Sequence, residues 1–323
     1  HGRAPDRRDV MLMEFRYHIH IMTLFPDVVG DMLCESILGR AQERNIIRID
    51  CHQIRDYTLN KQKQVDNYPY GGGHGAVMQA DPLYQCWKHL CDEAGEQLHT
   101  IYLSPAGKVF KQIDAKRLQQ DYKTLILVCG HYEGIDQRFI DECVDEEISM
   151  GDFVLTGGEI PAMALTDAVC RLVPGVLSDA ECFTDESHWD GLLEYPQYSR
   201  PEVWHDRHVP PILLSGHHAN IAKWRRKQAL RRTKERRPDM YEKLDLSSKA
   251  DKKLLREIEQ ENAEKNSRPL LGYDLFLFLR RLVPIYQHFH QSLSRNALLS
   301  DGRALLCPLY HGHPILSPRD RPR

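Results

Sequence analysis

The run Thr124–Gly130, with the sequence TLILVCG, constrains the fold of this chain more than any other stretch. Its consecutive apolar residues are typical of a strand that is buried on both faces in the middle of a sheet. The run leads directly into GHYEG, residues 130–134, which holds two glycines, an aromatic ring and a carboxylate. Ligands of open α/β sheets bind beyond the carboxyl ends of the strands, so we predict a ligand-binding loop here.

Strand-like and helix-like segments alternate over the first two-thirds of the chain, which indicates an α/β fold with a mostly parallel sheet covered by helices. Strands are predicted at 18–25, 46–54, 100–104 and 124–130, with two short extended pieces within 145–159. Helices are predicted at 27–45, 81–93, 114–122 and 159–173. The polar, glycine-rich segment 55–78 shows no periodicity, so we expect a functional loop there.

Two of these helices have a predicted buried face. In the first helix, Val28, Met32 and Leu33 share one face, and Asp27 is the expected N-cap. In the helix at 159–173, the residues expected to face inward are Ala162, Leu165, Val169 and Leu172. Pro174 and Gly175 are expected to end that helix.

Composition excludes several classes of protein. The chain has 323 residues and a formal net charge of −3, as expected for a globular protein without a uniformly basic surface. Its apolar runs all fall short of the roughly 20 residues that span a bilayer, so we expect no membrane partner. The nine cysteines never form a CxxC pair, which predicts reduced thiols, no metal site and a cytoplasmic location.

Charge is uneven in the last third of the chain. The acidic, aperiodic segment 178–191 is interpreted as an interdomain linker. In the basic stretch 223–237, Glu235 is the only acidic residue. Most charge runs are solvated helix faces, but charge as one-sided as this favours a polyanionic partner.

Three glycine-containing loops follow strand-like segments, at 104–107, 130–134 and 149–158. Glycine permits a close approach of backbone to ligand, and three such loops together offer amides and carbonyls to a flat heterocycle. Leu103, Tyr132 and Leu155 are the expected apolar walls. The loops contain no P-loop and no GxGxxG motif, which argues against a nicotinamide-dependent oxidoreductase. Each loop taken alone is more often a tight turn than a site.

Seven motifs carry a family resemblance: YGGGHG, IYLSPAG, LILVCGHYEGIDQR, DEEISMGDFVLTGGEIPAMALTDAVCR, PGVL, GLLEYPQYSRPEVW and VPPILLSGHHANIAKWR. From about His18 to Tyr241 the chain resembles the TrmD family, the bacterial tRNA (guanine-N1)-methyltransferases of the SPOUT superfamily. The resemblance implies an α/β fold, a SPOUT-type parallel sheet with a deep C-terminal trefoil knot, followed by a small helical domain. The expected divisions are an extra N-terminal segment at 1–16, the knotted methyltransferase domain at 17–177, the linker at 178–191, a helical tRNA-binding domain at 192–266 and a tail of unknown role at 267–323.

The resemblance implies that the three glycine loops bind S-adenosylmethionine. Carried over by motif, the cofactor-binding residues are Tyr102, Leu103, Ser104, Pro105, Gly130, Tyr132, Glu133, Gly134, Ser149, Met150, Gly151, Phe153, Leu155, Gly157, Gly158 and Pro161. The implied reaction is methyl transfer to N1 of guanosine at position 37 of tRNA. A carboxylate must take the N1 proton, and a guanidinium must stabilise the negative charge that builds on O6.

Three residues are the catalytic candidates. Arg171 matches the family's arginine, and Glu186 stands where the family usually has aspartate. The extra methylene of Glu186 shifts its carboxylate by about 1 Å, so the neighbouring Asp185 is the second candidate for the base. Relatives also often carry arginine at His131 and proline at His74.

The resemblance implies tRNA as the partner and a homodimer whose active site lies at the interface. The expected tRNA-binding residues are Gly72, Gly73, Arg200, Lys223, Arg225, Arg226 and Arg231. A dependence on Mg²⁺ is also implied, although no cluster in the sequence builds a dedicated metal cage. Two alternatives stay open: a SPOUT methyltransferase acting on another RNA base, and a non-catalytic RNA-binding relative.

Overall fold

The computed structural model describes residues 15–73, 75–178 and 186–267. The expected tail beyond Ser267, most of the expected N-terminal segment, His74 and residues 179–185 of the expected linker, with Asp185, lie outside the described residues. The chain divides into two compact units between Ser247 and Ser248. Among the described residues, no helix is long and apolar enough to cross a membrane.

The first unit is built on a five-stranded parallel sheet with the order β2-β1-β6-β5-β7. Its elements up to residue 170 are β1 (Tyr17–Thr23), α1 (Pro26–Leu33), α2 (Ser36–Glu43), β2 (Ile47–Gln53), β3 (Asp66–Asn67), β4 (Val77–Met78), α3 (Ala80–Ala94), β5 (His99–Val109), α4 (Gln112–Asp121), β6 (Thr124–Cys129), α5 (Gln137–Cys143), β7 (Glu146–Ser149) and α6 (Glu159–Cys170). The α/β fold with a parallel central sheet is thereby confirmed.

The central position of β6 explains its uninterrupted apolar sequence. Successive side chains of a strand point to opposite faces. Leu125, Leu127 and Cys129 accordingly lie in one core, and Ile126 and Val128 lie in the other. All five are fully buried. Since helices cover both faces of the sheet, a polar residue here would lose its hydration on either side.

The predicted buried face of α6 is also confirmed. Ala162, Leu165 and Val169 are fully buried, and Leu172 follows just beyond the helix with 5% of its surface exposed. These side chains pack in the core that also holds Leu125 and Leu127 of β6. The helix is therefore fixed firmly against the sheet.

The single helix predicted at 27–45 is wrong, because the chain forms α1 and α2 with a break at Cys34 and Glu35. The predicted face is confirmed at Leu33 but wrong at Val28 and Met32, which are 65% and 57% exposed, while Val29 is buried. The helix begins at Pro26 and not after an Asp27 cap. The N–H of a first helical residue has no partner within the helix, so proline, which has no N–H, is favoured there.

Three further expectations need correction. The strand predicted to end at Pro105 continues to Val109, because its pairing with β7 resumes at Lys108 after a bulge that follows Leu103. The two extended pieces expected within 145–159 reduce to β7 alone. The loop 55–78 is mostly irregular, but β3 and β4 pair antiparallel within it.

The rest of the first unit is small and helical. It comprises β8 (Val203–Trp204), β9 (Arg207–His208), α7 (Pro211–Leu214), α8 (His218–Arg236) and α9 (Pro238–Tyr241). The basic stretch forms most of α8, which is held by its buried residues Ala229 and Leu230 and by a 2.9 Å hydrogen bond from Leu193 N to Thr233 Oγ1. In the second unit, the described residues form α10 (Lys249–Ser267).

Candidate active site

A cavity of about 360 Å³ lies at the bulge of β5 and the carboxyl ends of β6 and β7. Segments from all three predicted glycine loops line it, and fifteen of the sixteen residues expected to bind the cofactor are among the lining, Gly151 being the exception. The lining residues not expected from the sequence are Ala106, His131, Ile148, Val154 and Thr156. These five residues could have been predicted from the sequence, because each lies within two positions of an expected residue.

Backbone hydrogen bonds hold the loops against one another. Gly158 N donates to Gly130 O at 2.9 Å, which joins the third loop to the second. On the other side, Met78 N donates to Gly134 O at 2.9 Å and Glu133 N donates to Ala76 O at 3.0 Å. The GHYEG loop is therefore preorganised from both sides.

The glycines of these loops leave no room for side chains. A Cβ on Gly130 would stand 2.8 Å from Tyr102 Oη, and one on Gly158 would stand 2.7 Å from Cys129 Cα. Gly134 has a φ of +120°, which L side chains rarely adopt. Tyr132 has a φ of +59°, a strained conformation that is common at functional sites.

The walls of the cavity are largely apolar, as expected. Tyr102 and Leu103 are buried in β5 just before its bulge, while Tyr132, Phe153 and Leu155 remain partly exposed around the opening. Burial raises the pKa of the Tyr102 phenol, so it stays neutral. Such a cavity suits a flat, largely uncharged group held by backbone contacts.

His131 anchors the second loop to the start of α6. Its Nε2 lies 2.7 Å from Glu159 Oε2, and Thr23 Oγ1 donates to Glu159 Oε1 at 2.7 Å. The Phe25 ring lies 5.1 Å from the imidazole. The histidine therefore connects the cavity lining to the end of β1.

Arg171 and Glu186 form a bidentate ion pair, with 2.5 Å from Nη1 to Oε2 and 2.8 Å from Nη2 to Oε1. The hydrogen bonds from Arg171, opposed by partial burial, lower the pKa of the Glu186 carboxyl. The carboxylate is therefore ionised at neutral pH and its donor is already in place. Two of the three predicted catalytic residues are thus in contact.

This pair does not line the cavity of its own chain. Pro161, in the first turn of α6, is a lining residue, whereas Arg171 caps the other end of that helix. Ten residues at 1.5 Å each place the two about 15 Å apart along the helix axis. Glu186 instead borders a separate cavity of about 210 Å³, which Arg225 and Arg226 of α8 also line.

The residues expected to bind tRNA differ in exposure. Gly72 and Gly73 are exposed, with φ of +80° and +137°, and Arg200 is exposed as well. On α8, Lys223 and Arg225 are exposed, and the Arg225 guanidinium lies 4.8 Å from the centre of the Tyr195 ring. The other two, Arg226 and Arg231, are half-buried; Arg226 pairs with Asp190 at 2.9 Å and Arg231 lies 3.5 Å from Gln228 Oε1.

Comparison with known proteins gives one consistent result. The family model described as tRNA (Guanine-1)-methyltransferase TrmD matches residues 17–243. A protein of Ruminiclostridium cellulolyticum named tRNA (guanine-N(1)-)-methyltransferase is 53% identical over 224 residues, which cover 69% of this chain and 96% of the relative. A protein of the same name from Clostridium acetobutylicum is 49% identical over 247 residues, covering 76% of this chain and 100% of the relative.

Proposed function

This chain belongs to the tRNA (guanine-1)-methyltransferase TrmD family, and from that premise we propose that it methylates N1 of guanosine at position 37 of tRNA with S-adenosylmethionine. The observation that carries the proposal is the pairing of Arg171 with Glu186, since the reaction needs a guanidinium and a carboxylate together. The protein works in the cytoplasm, where its tRNA substrate is found.

The residues of the first cavity fit the cofactor. Its volume of about 360 Å³ lies within the range of small-molecule sites. Gly130 and Gly158 let the loops approach closely enough to form one cavity, because a Cβ there would collide with Tyr102 or Cys129. Loop amides and carbonyls around Gly130 and Gly158 would hold the polar groups, with Leu103, Tyr132 and Leu155 against the apolar ones. When bound, the cofactor supplies the methyl group as an electrophile, and the protein supplies placement.

The two side chains of the ion pair have linked roles. Glu186 accepts the N1 proton, and Arg171 donates to O6 as negative charge builds there. In the free protein both groups are occupied by each other, so the substrate must loosen the pair. As Arg171 turns toward O6, its hold on Glu186 weakens and the carboxylate becomes the stronger base. Asp185 remains the alternative base.

A homodimer would complete the active site. The pair lies about 15 Å along α6 from the cavity of its own chain, so a second copy must bring its cavity to the pair. Exposed apolar side chains support such an interface: Phe25, Val28, Met32, Phe153, Val154 and Ile160. Three of them belong to α1 or its cap, and α1 packs against α6.

The tRNA would lie across α8 and the loops near it. Lys223 and Arg225 present exposed charge for phosphates, whereas Arg226 and Arg231 would act partly through the contacts that they already make. Gly72, Gly73 and Arg200 would help to place the target base. The cavity between Glu186 and α8 supports this arrangement, because the base and the basic helix share one concave surface.

Two finer proposals follow from the family. Residues 17–177 form the knotted domain, and residues 192–266 the tRNA-binding domain joined by the linker 178–191. Mg²⁺ prefers an octahedral set of oxygen ligands, whereas the group among the described residues that could hold a metal ion contains two histidines. The described residues do not fit a dedicated Mg²⁺ site, so no step is assigned to that ion.

Methylation of tRNA transcripts tests the proposal. We expect 1-methylguanosine from a transcript with guanine at position 37 and no product when adenine replaces it. A methylated base of any other kind would favour a SPOUT enzyme with a different target. If Glu186→Ala binds tRNA like the unaltered chain and both lack activity, the chain is a non-catalytic RNA-binding relative.

A further inference from the structure

A second cavity, of about 600 Å³, lies away from the proposed cofactor site. Its wall includes His18 at the start of β1 and Thr124 at the start of β6, so it reaches the amino end of β6, whose carboxyl end leads into the first cavity. The proposed methyl transfer uses none of the residues on this wall. A cluster of three histidines and an aspartate lies on this wall.

Two short motifs produce the cluster. His18-Ile19-His20 lies on β1, and Asp50-Cys51-His52 lies on β2. Alternate residues of a strand share a face, and the parallel register pairs His20 with Asp50. All four polar side chains therefore stand on one face of two adjacent strands, while Cys51 packs against the core on the other face.

The donor atoms of the cluster are close together. His18 Nε2 lies 2.7 Å from Asp50 Oδ2, and His20 Nδ1 lies 2.9 Å from His52 Nε2. One ligand atom from each of His18, His20 and Asp50 lies within 4.8 Å of the others. Ligands around a tetrahedral zinc ion are about 3.3 Å apart, given Zn–N bonds of about 2.0 Å. Small side-chain rotations would therefore produce a coordinating set.

The charge around the cavity is mainly acidic. Asp50, Glu93 and Glu96 line it, and Arg48 is the one lysine or arginine among its described lining residues. Arg48 Nε contacts Asp50 Oδ2 at 2.6 Å, so this guanidinium is the natural competitor of a metal ion. Its side chain is 45% exposed, which gives it room to turn toward solvent.

We propose that His18, His20 and Asp50, with His52 as a fourth ligand, form a binding site for a divalent transition-metal ion of the zinc class. Imidazole nitrogens combined with a carboxylate oxygen suit zinc, nickel, cobalt or copper, and disfavour magnesium and calcium, which prefer oxygen ligands. The ion would join β1 to β2 at a distance from the first cavity. Its role is structural, independent of methyl transfer.

Calorimetric titration of the full chain with Zn²⁺, after dialysis against a chelator, tests the site. We expect one equivalent to bind, and Co²⁺ in its place to give the visible absorption of a tetrahedral complex. In the double variant His18→Gln with Asp50→Asn, we expect the affinity for zinc to fall by more than about 100-fold. Loss of a residue that only orients a ligand costs up to about 100-fold, and loss of two ligands should cost more. Cys51→Ser is the matched control, since its side chain lies on the other face of β2, and should bind normally.

Unchanged zinc affinity in the folded double variant would overturn the proposal, as would a loss of affinity in Cys51→Ser alone. Circular dichroism checks that the double variant is folded. If the double variant is not folded, the single variant His18→Gln replaces it. Position 18 is partly exposed, and this variant should also bind zinc more weakly. Because the site lies away from the first cavity, loss of zinc should leave tRNA methylation unchanged, so this test and the test of the proposed function fail separately.

Discussion

The separation between the first cavity and the Arg171–Glu186 pair predicts that activity requires two chains. The perturbations are Leu155→Trp, which places an indole in the cavity, and Glu186→Gln, which removes the proposed base. Leu155 is 37% exposed, so the larger side chain can be accommodated without disturbing the core. Each variant alone should be inactive: the first because it does not bind S-adenosylhomocysteine, and the second because loss of a general base costs about 10²- to 10⁴-fold in rate.

A heterodimer of the two variants distinguishes the possible arrangements. If the pair serves the cavity of the partner chain, the heterodimer contains one intact site, made from the cavity of the Glu186→Gln chain and the base of the other chain. A two-fold dimer has two equivalent sites, so we expect about half of the normal rate. If the pair serves its own chain, both sites are damaged and the rate stays at the level of the parents.

The assay is incorporation of labelled methyl groups into a tRNA transcript by heterodimers purified through two different affinity tags. The matched control carries both substitutions on one chain and none on the other. That heterodimer should be inactive if the site is shared between chains, and about half active if it is not. Half activity in the control, with none in the mixed heterodimer, would refute the reasoning from the geometry of α6.

Three further predictions concern the pair, the core and the surface. Arg171→Gln removes the hydrogen bonds that lower the pKa of Glu186. Because a base acts only above its pKa, the acidic limb of the pH profile of kcat/KM should move to higher pH. An acidic limb that stays in place would contradict the coupling between the two side chains. Leu165→Ala should lower the free energy of unfolding by about 2–5 kcal/mol in urea titrations, because the Leu165 side chain of α6 is fully buried against the sheet. Leu59→Ala, at a position 91% exposed, should cost under about 0.5 kcal/mol, and equal losses would contradict the assigned burial. Val28→Glu should leave the chain folded but monomeric by light scattering, and therefore inactive, and an active dimer would show that this face is not the interface.

The sequence predicted the central part of the fold because its signals there are local. An apolar run such as TLILVCG suits a central strand of a parallel sheet, and the periodicity of α6 identified its buried face correctly. The face of α1 is wrong at two of its three residues because Val28 and Met32 satisfy helical spacing as well as Val29 and Leu33 do. Apolar spacing cannot distinguish a core face from an exposed apolar face, and this helix has both.

The prediction of the candidate site depended on the family resemblance more than on spacing. The glycine loops could be located from the sequence, but their convergence on one cavity depends on the order of β5, β6 and β7 in the sheet. Pro105 predicts the end of a strand and gives no sign of the bulge in β5, after which pairing with β7 resumes at Lys108. The histidine cluster was missed because its two motifs lie 32 residues apart and meet only through the register of β1 with β2.

Helix α6 fixes the distance and the angle between two functional regions. Pro161 at one end of the helix borders the cavity, and Arg171 caps the other end. One extra residue between them would turn everything that follows by about 100° and advance it by about 1.5 Å. The cavity would keep its shape while the guanidinium swung away from its carboxylate. Substitutions between Pro161 and Arg171 can therefore be compatible with activity, but an insertion or deletion there should abolish it.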